Sequence, residues 1–162
     1  MASTLETSLI SLLSTIDDTF EVIVVDDAST DDSWKILLSI ATSYSNVRIF
    51  KLGKDKNRRL GTTRNIAIGL ASTEWCIFHI DTDDFFRSGI KDFVRSVYLL
   101  DNKFQRDLLY AGSQIHMARK NFLESIGPFR NIYRGEDRDL YIRLIEVKRL
   151  IFIEHDNFIY PL

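Results

Sequence analysis

Phe78-His79-Ile80-Asp81-Thr82-Asp83-Asp84 decides how this chain is read: the apolar run Trp75 to Ile80 ends abruptly in three carboxylates within four residues. Like charges that close repel unless a cation, basic residues or solvent compensates. Asp81 and Asp83 alternate along an extended chain and can face the same side. Hard oxygen ligands at that spacing suit magnesium or manganese, whose remaining positions water and phosphate oxygens fill. A solvated turn with helix-capping duty is the plainer reading of the same residues. An EF-hand calcium loop does not fit, because Phe85 and Phe86 take its fifth and sixth positions, the sixth belonging to glycine.

Upstream, two more β-branched or aromatic runs, Glu21 to Val25 and Val47 to Leu52, read as strands. Asp32 to Ser43 and Thr63 to Ala71 lie between the three runs and carry apolar residues at helical spacing. Strand, helix, strand, helix, strand predicts an α/β fold with right-handed crossovers and a parallel sheet. Asp31 or Asp32, and Thr62 or Thr63, are the candidate helix N-caps. Met1 to Ile16, with Leu5, Ile10, Leu12, Leu13 and Ile16, reads as an amphipathic helix and not as a signal peptide, since it carries Glu6 and lacks a basic leader.

Downstream, a helix is predicted over Ser88 to Leu100, with strands near Leu108 to Ala111 and Gln114 to Ala118. Gly127-Pro128-Phe129 marks a turn, and Glu136 to Lys148 reads as a helix turning Leu140, Tyr141, Leu144, Ile145 and Val147 toward the core. Leu150 to Ile153 and Phe158 to Tyr160 suit closing strands. The length of 162 residues with 45% hydrophobic content predicts one domain over residues 1–162.

Twenty-one basic residues against twenty-three acidic ones leave no large field of one sign for nucleic acid or an anionic membrane. Any phosphate site must be local. Cys76, the single cysteine, sits in an apolar run and reads as a small buried hydrophobe; no disulfide framework is possible, which fits a reducing, cytoplasmic setting. No apolar run approaches the roughly 20 residues needed to cross a bilayer. Work beside a membrane would come through a partner.

In open α/β sheets the ligand crevice lies at the carboxyl ends of the strands. Two of the three early runs end there in acids, Val24-Val25-Asp26-Asp27-Ala28-Ser29-Thr30 being the second. A phospho-accepting receiver domain also pairs acids after one strand with another acid after a later one. It requires a later strand-end lysine, and no Lys-Pro turn follows Asp81.

Taken together, Asp26-Asp27-Ala28-Ser29-Thr30-Asp31, then Arg64-Asn65, then Asp81-Thr82-Asp83-Asp84, and finally Gly135-Glu136-Asp137-Arg138-Asp139-Leu140-Tyr141-Ile142-Arg143-Leu144 resemble the family-two inverting glycosyltransferases in order and spacing. The resemblance runs from about Phe20 to the C-terminus. It implies a GT-A fold: a Rossmann-like three-layer sandwich with a mostly parallel central sheet. It implies transfer of a sugar from a nucleoside-diphosphate donor, a UDP- or GDP-sugar, to a glycan, lipid or protein hydroxyl with inversion. The family's Mn2+ or Mg2+ would be held by Asp83 with Asp81 nearby, and would stabilise the leaving diphosphate. Asp137 matches the family's base; Asp27 would contact the nucleobase, Arg64 the phosphates, and Asp84 the sugar or acceptor side. The family's usual first strand has no counterpart here, so another segment, a second copy or a partner chain would complete the sheet. The alternative is a glycosyltransferase-like subunit that binds nucleotide without turnover.

Plainer duties compete at several of these positions. Asp137 could be a simple N-cap and Arg64 the partner of a surface acid. Lys51, Lys54, Lys56, Arg58 and Arg59 read better as a solvated loop than as a phosphate clamp, and His79 as a core or sheet-face histidine within its strand. His155 occupies a place where a late histidine sometimes helps bind metal in related folds.

Overall fold

The computed structural model describes residues 2–112, 114–154 and 159–161. In chain order its elements are α1 (Ala2–Leu13), β1 (Val22–Asp26), α2 (Ser33–Ser43), β2 (Val47–Lys51), α3 (Leu60–Leu70), β3 (Trp75–Phe78) and β4 (Asp84–Phe86). There follow α4 (Ile90–Phe104), β5 (Leu109–Ala111), β6 (His116–Arg119), α5 (Lys120–Ile126), α6 (Glu136–Glu146), β7 (Leu150–Phe152) and β8 (Ile159–Pro161). They form two compact units: residues up to Lys54 with Ile80–Arg95 and β8, and Asp55–His79 with residues 96–154.

In the first unit β1 and β2 pair in parallel, Val22 opposite Val47 through Asp26 opposite Lys51, with α2 as the crossover. Leu37 and Ile40 of α2 meet Leu5, Leu9 and Leu13 of α1 and Val47 of β2 in one buried cluster. Burying each such side chain contributes roughly 1.5–3 kcal/mol. β4 pairs antiparallel with β8, Asp84 opposite Pro161. The same β4 is tied to α1, where the Phe86 N–H donates to Ser11 Oγ at 2.9 Å.

The second unit is built on a four-stranded sheet in the order β3-β6-β5-β7. β6 runs antiparallel to both its neighbours, while β5 and β7 are parallel. β5 lies inside the sheet, and Leu109, Tyr110 and Ala111 are all buried. Ile68 of α3, Phe122 and Leu123 of α5, and Leu140 and Leu144 of α6 pack with Cys76, Phe78 and Phe129 into its core.

The α/β layout expected from the sequence is present, and its predicted parallel pairing is found between β1 and β2. β3 pairs instead with β6, antiparallel. Every predicted strand and helix has a counterpart; the ones not anticipated are the short β4, hidden in the acidic turn, and α5, whose end is marked by left-handed Gly127 (φ 63°). Neither threonine caps α3, which begins earlier, at Leu60 behind Arg59. Asp31, not the N-cap residue Asp32, bonds the first turn of α2, its Oδ1 accepting from the Ser33 N–H at 3.1 Å. In α6 Leu140 and Leu144 are buried four residues apart, but Ile145 and Val147 are exposed. One residue advances a helix by about 100°, which carries Ile145 off the inward stripe. Ile10 of α1 faces outward for the same reason. His79 falls just past its strand, in the left-handed region at φ 66°. Cys76 is buried, as predicted.

Candidate active site

The first unit holds both acidic strand ends. Asp26 and Asp27 diverge there: Asp26 is buried and Asp27 exposed. Asp26 Oδ1 accepts from the Ser29 N–H at 2.8 Å, and its Oδ2 lies 4.0 Å from Lys51 Nζ. This carboxylate builds the turn that Ala28 enters at φ 61°. Asp31 stiffens the next turn: hydrogen bonds from Ser33, side chain first, hold its carboxyl at about 2.

The Asp81–Asp84 turn divides the same way. Asp81 and Asp83 are exposed, whereas Asp84, at 6% exposure, is buried as the first residue of β4. The Asp84 N–H reaches back to the Asp81 carbonyl at 3.4 Å, and the Ser8 hydroxyl donates to that carbonyl, also at 3.4 Å. Ser11, three residues on, accepts from Phe86 on the far side of the turn. Two buried hydroxyls one helical turn apart therefore hold the loop at both ends and leave Asp81 and Asp83 facing solvent. Sequence reading passed over both serines. Their signal was polar residues interrupting the apolar stripe Leu5, Leu9, Leu12 of α1.

Among the described residues no three His, Cys, Asp or Glu side chains converge on a metal position. Magnesium and manganese do not require three. A hard cation is commonly held by one or two carboxylates, with phosphate and water completing the shell. Two exposed carboxylates on a fixed turn fit that chemistry.

The second unit carries Arg64 and Asp137. Gly135, left-handed at φ 78°, starts α6, so Asp137 is in the first turn and not at the N-cap. Its Oδ1 accepts from the Arg138 N–H at 2.7 Å, and its Oδ2 lies 3.7 Å from His79 Nε2. Its side chain keeps 39% of its surface exposed, enough for a substrate to reach it. Arg64 donates from Nη1 to Glu136 at 2.7 Å, and its guanidinium lies 5.5 Å from the Phe129 ring centre. Both partners of that ion pair are largely buried. Arg64 is thus positioned by an acid, as the plainer reading expected, but by a buried one from the same motif.

The motif's remaining charges serve the scaffold. Asp139 joins Arg143 at 3.0 Å and Arg130 at 2.9 Å. Arg143 then donates to the carbonyls of Ile126, Gly127 and Pro128, capping the end of α5. Asn65 brackets Phe129 through both its N–H and C=O, at 3.0 and 2.7 Å. In the basic stretch Lys51 stands over Trp34 and Arg59 over Tyr133, each on its own unit. His155 lies outside the described residues.

No helix among the described residues is long and apolar enough to cross a membrane. The family model described as "Glycosyl transferase family 2" matches residues 2–97. Among solved structures, TarS 1-349 of S. aureus superposes at a TM-score of 0.75 with 18% identity, covering 99% of this chain and 57% of that one. The same TarS fragment in complex with UDP-GlcNAc gives 0.75, 19%, 98% and 54%. The mannosyltransferase PcManGT from Pyrobaculum calidifontis, in complex with GDP-Man and Mn2+, gives 0.77, 15%, 95% and 52%. The chain thus spans little more than half the length of these structures, and at such identities the likeness shows the fold alone. No curated protein matches the chain.

Proposed function

The chain belongs to glycosyl transferase family 2, and from that premise we propose that it transfers a sugar from a nucleoside-diphosphate donor to an acceptor hydroxyl, with inversion and with a divalent cation. The observation that carries this reading is the division of the acidic turn. Asp84 is buried, while Asp81 and Asp83 are held toward solvent by Ser8 and Ser11.

Asp81 and Asp83 would hold Mn2+ or Mg2+, which when bound supplies charge to stabilise the departing diphosphate. Asp27 offers an exposed carboxylate beside a turn that Asp26 keeps rigid, suited to donors on a nucleobase. Arg64, preset by Glu136, supplies positive charge for phosphate oxygens; Asp84, expected to contact the sugar or acceptor side, is buried at the start of β4 and would serve that side by steadying the turn. Asp137 takes the proton of the acceptor hydroxyl as its oxygen bonds to the anomeric carbon from the face opposite the leaving group. Such proton transfer contributes typically 10²–10⁴-fold in rate, so the base should be visible in kcat.

UDP-GlcNAc and GDP-mannose are the donors to try first, since folds of this kind are seen with them. Asp137→Ala is expected to bind nucleotide as the parent does and to lose turnover by at least about a hundredfold. Unchanged turnover would remove Asp137 as the base. The second reading, a subunit that binds nucleotide without turnover, draws on the engagement of Arg64 by Glu136. Metal-dependent nucleotide binding with no sugar released from any donor would select it.

A further inference from the structure

His79 lies against the carboxylate of Asp137, with Nε2 3.7 Å from Asp137 Oδ2. Its other ring nitrogen, Nδ1, lies 2.9 Å from the Gln114 carbonyl oxygen. A carbonyl can only accept, so Nδ1 carries a hydrogen, and the edge of the ring that bears Nε2 is turned toward Asp137. The flat of the ring rests on His116, centroids 4.9 Å apart and planes 33° apart. His116 is in turn hydrogen-bonded through Nε2 to the Tyr141 hydroxyl. Tyr141 follows Asp137 by four residues on α6, so the chain of contacts leaves that helix face and returns to it. Burial, then His79, hold His116 down at about 3, and burial, then Asp137, push Tyr141 up to about 12. Both supports are therefore uncharged under ordinary conditions.

The backbone of His79 sits at φ 66°, a left-handed conformation that a histidine adopts only at a cost. A ring clamped on one edge and one face, at a strained backbone position, is oriented for something. At 3.7 Å Nε2 and the carboxylate oxygen make a polar contact just beyond hydrogen-bond length.

We propose that His79 is the positioning partner of Asp137: its ring, fixed by the Gln114 carbonyl on one edge and His116 on one face, orients the carboxylate toward the acceptor hydroxyl. This rests on the reading of Asp137 as the base. In the step itself the acceptor O–H bond breaks and an Asp137 O–H bond forms. The acceptor oxygen bonds to the anomeric carbon, and the electron pair of the broken glycosidic bond leaves with the diphosphate. His79 exchanges no atom; it holds the carboxylate where the acceptor proton arrives.

The test is a double-mutant cycle on the whole chain, with turnover of UDP-GlcNAc and GDP-mannose as the readout. His79→Asn removes the ring yet tolerates the left-handed backbone. It is expected to lower kcat about ten- to hundredfold with donor KM unchanged, because it disturbs orientation and not binding. His79→Asn/Asp137→Ala is expected to be no slower than Asp137→Ala, since a positioning residue has nothing left to position. Calorimetric UDP and GDP binding by each variant verifies folding, and His79→Gly with imidazole added to the assay is expected to regain part of the lost kcat. Parent-level kcat in His79→Asn beside a dead Asp137→Ala overturns the positioning role and spares the base. A further loss in the double variant assigns His79 an independent structural part and overturns it as well. Parent-level turnover in Asp137→Ala overturns both readings.

Discussion

Asp26 and Asp27 are neighbours in sequence and opposites in circumstance: one carboxylate is buried and spent on the Ser29 N–H, the other is exposed. Asp26→Ala is therefore expected to destabilise the fold by about 1–2 kcal/mol through a lost turn bond. Asp27→Ala, at an exposed carboxylate, should weaken nucleotide binding; titration calorimetry checks that, and thermal melts measure the cost of Asp26→Ala. His116 makes a pH prediction. Its folded value of about 3 lies below the ordinary 6.5, so below 6.5 the unfolded chain takes up a proton that the folded chain refuses. Stability then falls as pH falls from 6.5 toward 3, by on the order of 2 kcal/mol between pH 7.5 and 5. His116→Gln should flatten that part of the stability-against-pH curve; an unchanged slope would assign the acid sensitivity to other groups. Which of two adjacent acids is buried was not legible in the sequence, because local pattern is identical for both and only the turn geometry separates them.

At the scale of elements, α1 does more than bury leucines. Ser8 and Ser11 face the acidic turn, and Ser11→Ala would leave the buried Phe86 N–H without its partner. The cost expected is about 1–3 kcal/mol, together with weaker metal-dependent nucleotide binding, read by melts and calorimetry. α3 carries a different constraint. A Cβ on Gly61 would come within 2.5 Å of the Arg130 carbonyl and 3.1 Å of Phe129 Cβ, so the segment after Pro128 lies directly on the helix. Gly61→Ala should cost about 1–3 kcal/mol by overpacking, despite the better helix propensity of alanine. The strands and long helices were legible because their apolar spacing repeats. β4 and α5 were not: three and seven residues offer too little periodicity, and β4 begins with the buried acid of a turn that reads as solvated.

At the scale of the whole molecule, the sequence motifs foretold the α/β class and the family, and the structure sorts the motif residues by duty. Asp139, Arg143 and Asn65 tie loops and helix ends, while Asp27, Asp81, Asp83 and Asp137 retain exposed carboxylate surface. Motif spacing could not make that distinction, since charge and position alone do not tell a cap from a ligand. The helix–strand alternation foretold parallel pairing, and β6 departs from it by inserting antiparallel between β3 and β5, a long-range pairing that no local pattern encodes. In the proposed function the acidic turn binds a nucleoside diphosphate through a divalent cation. Titration calorimetry of the whole chain with UDP and with GDP, with and without Mn2+, tests it most directly. Binding of at least one nucleotide that requires Mn2+ and disappears in Asp83→Ala is expected; no binding of either, or binding indifferent to the metal and to Asp83, would rule this role out.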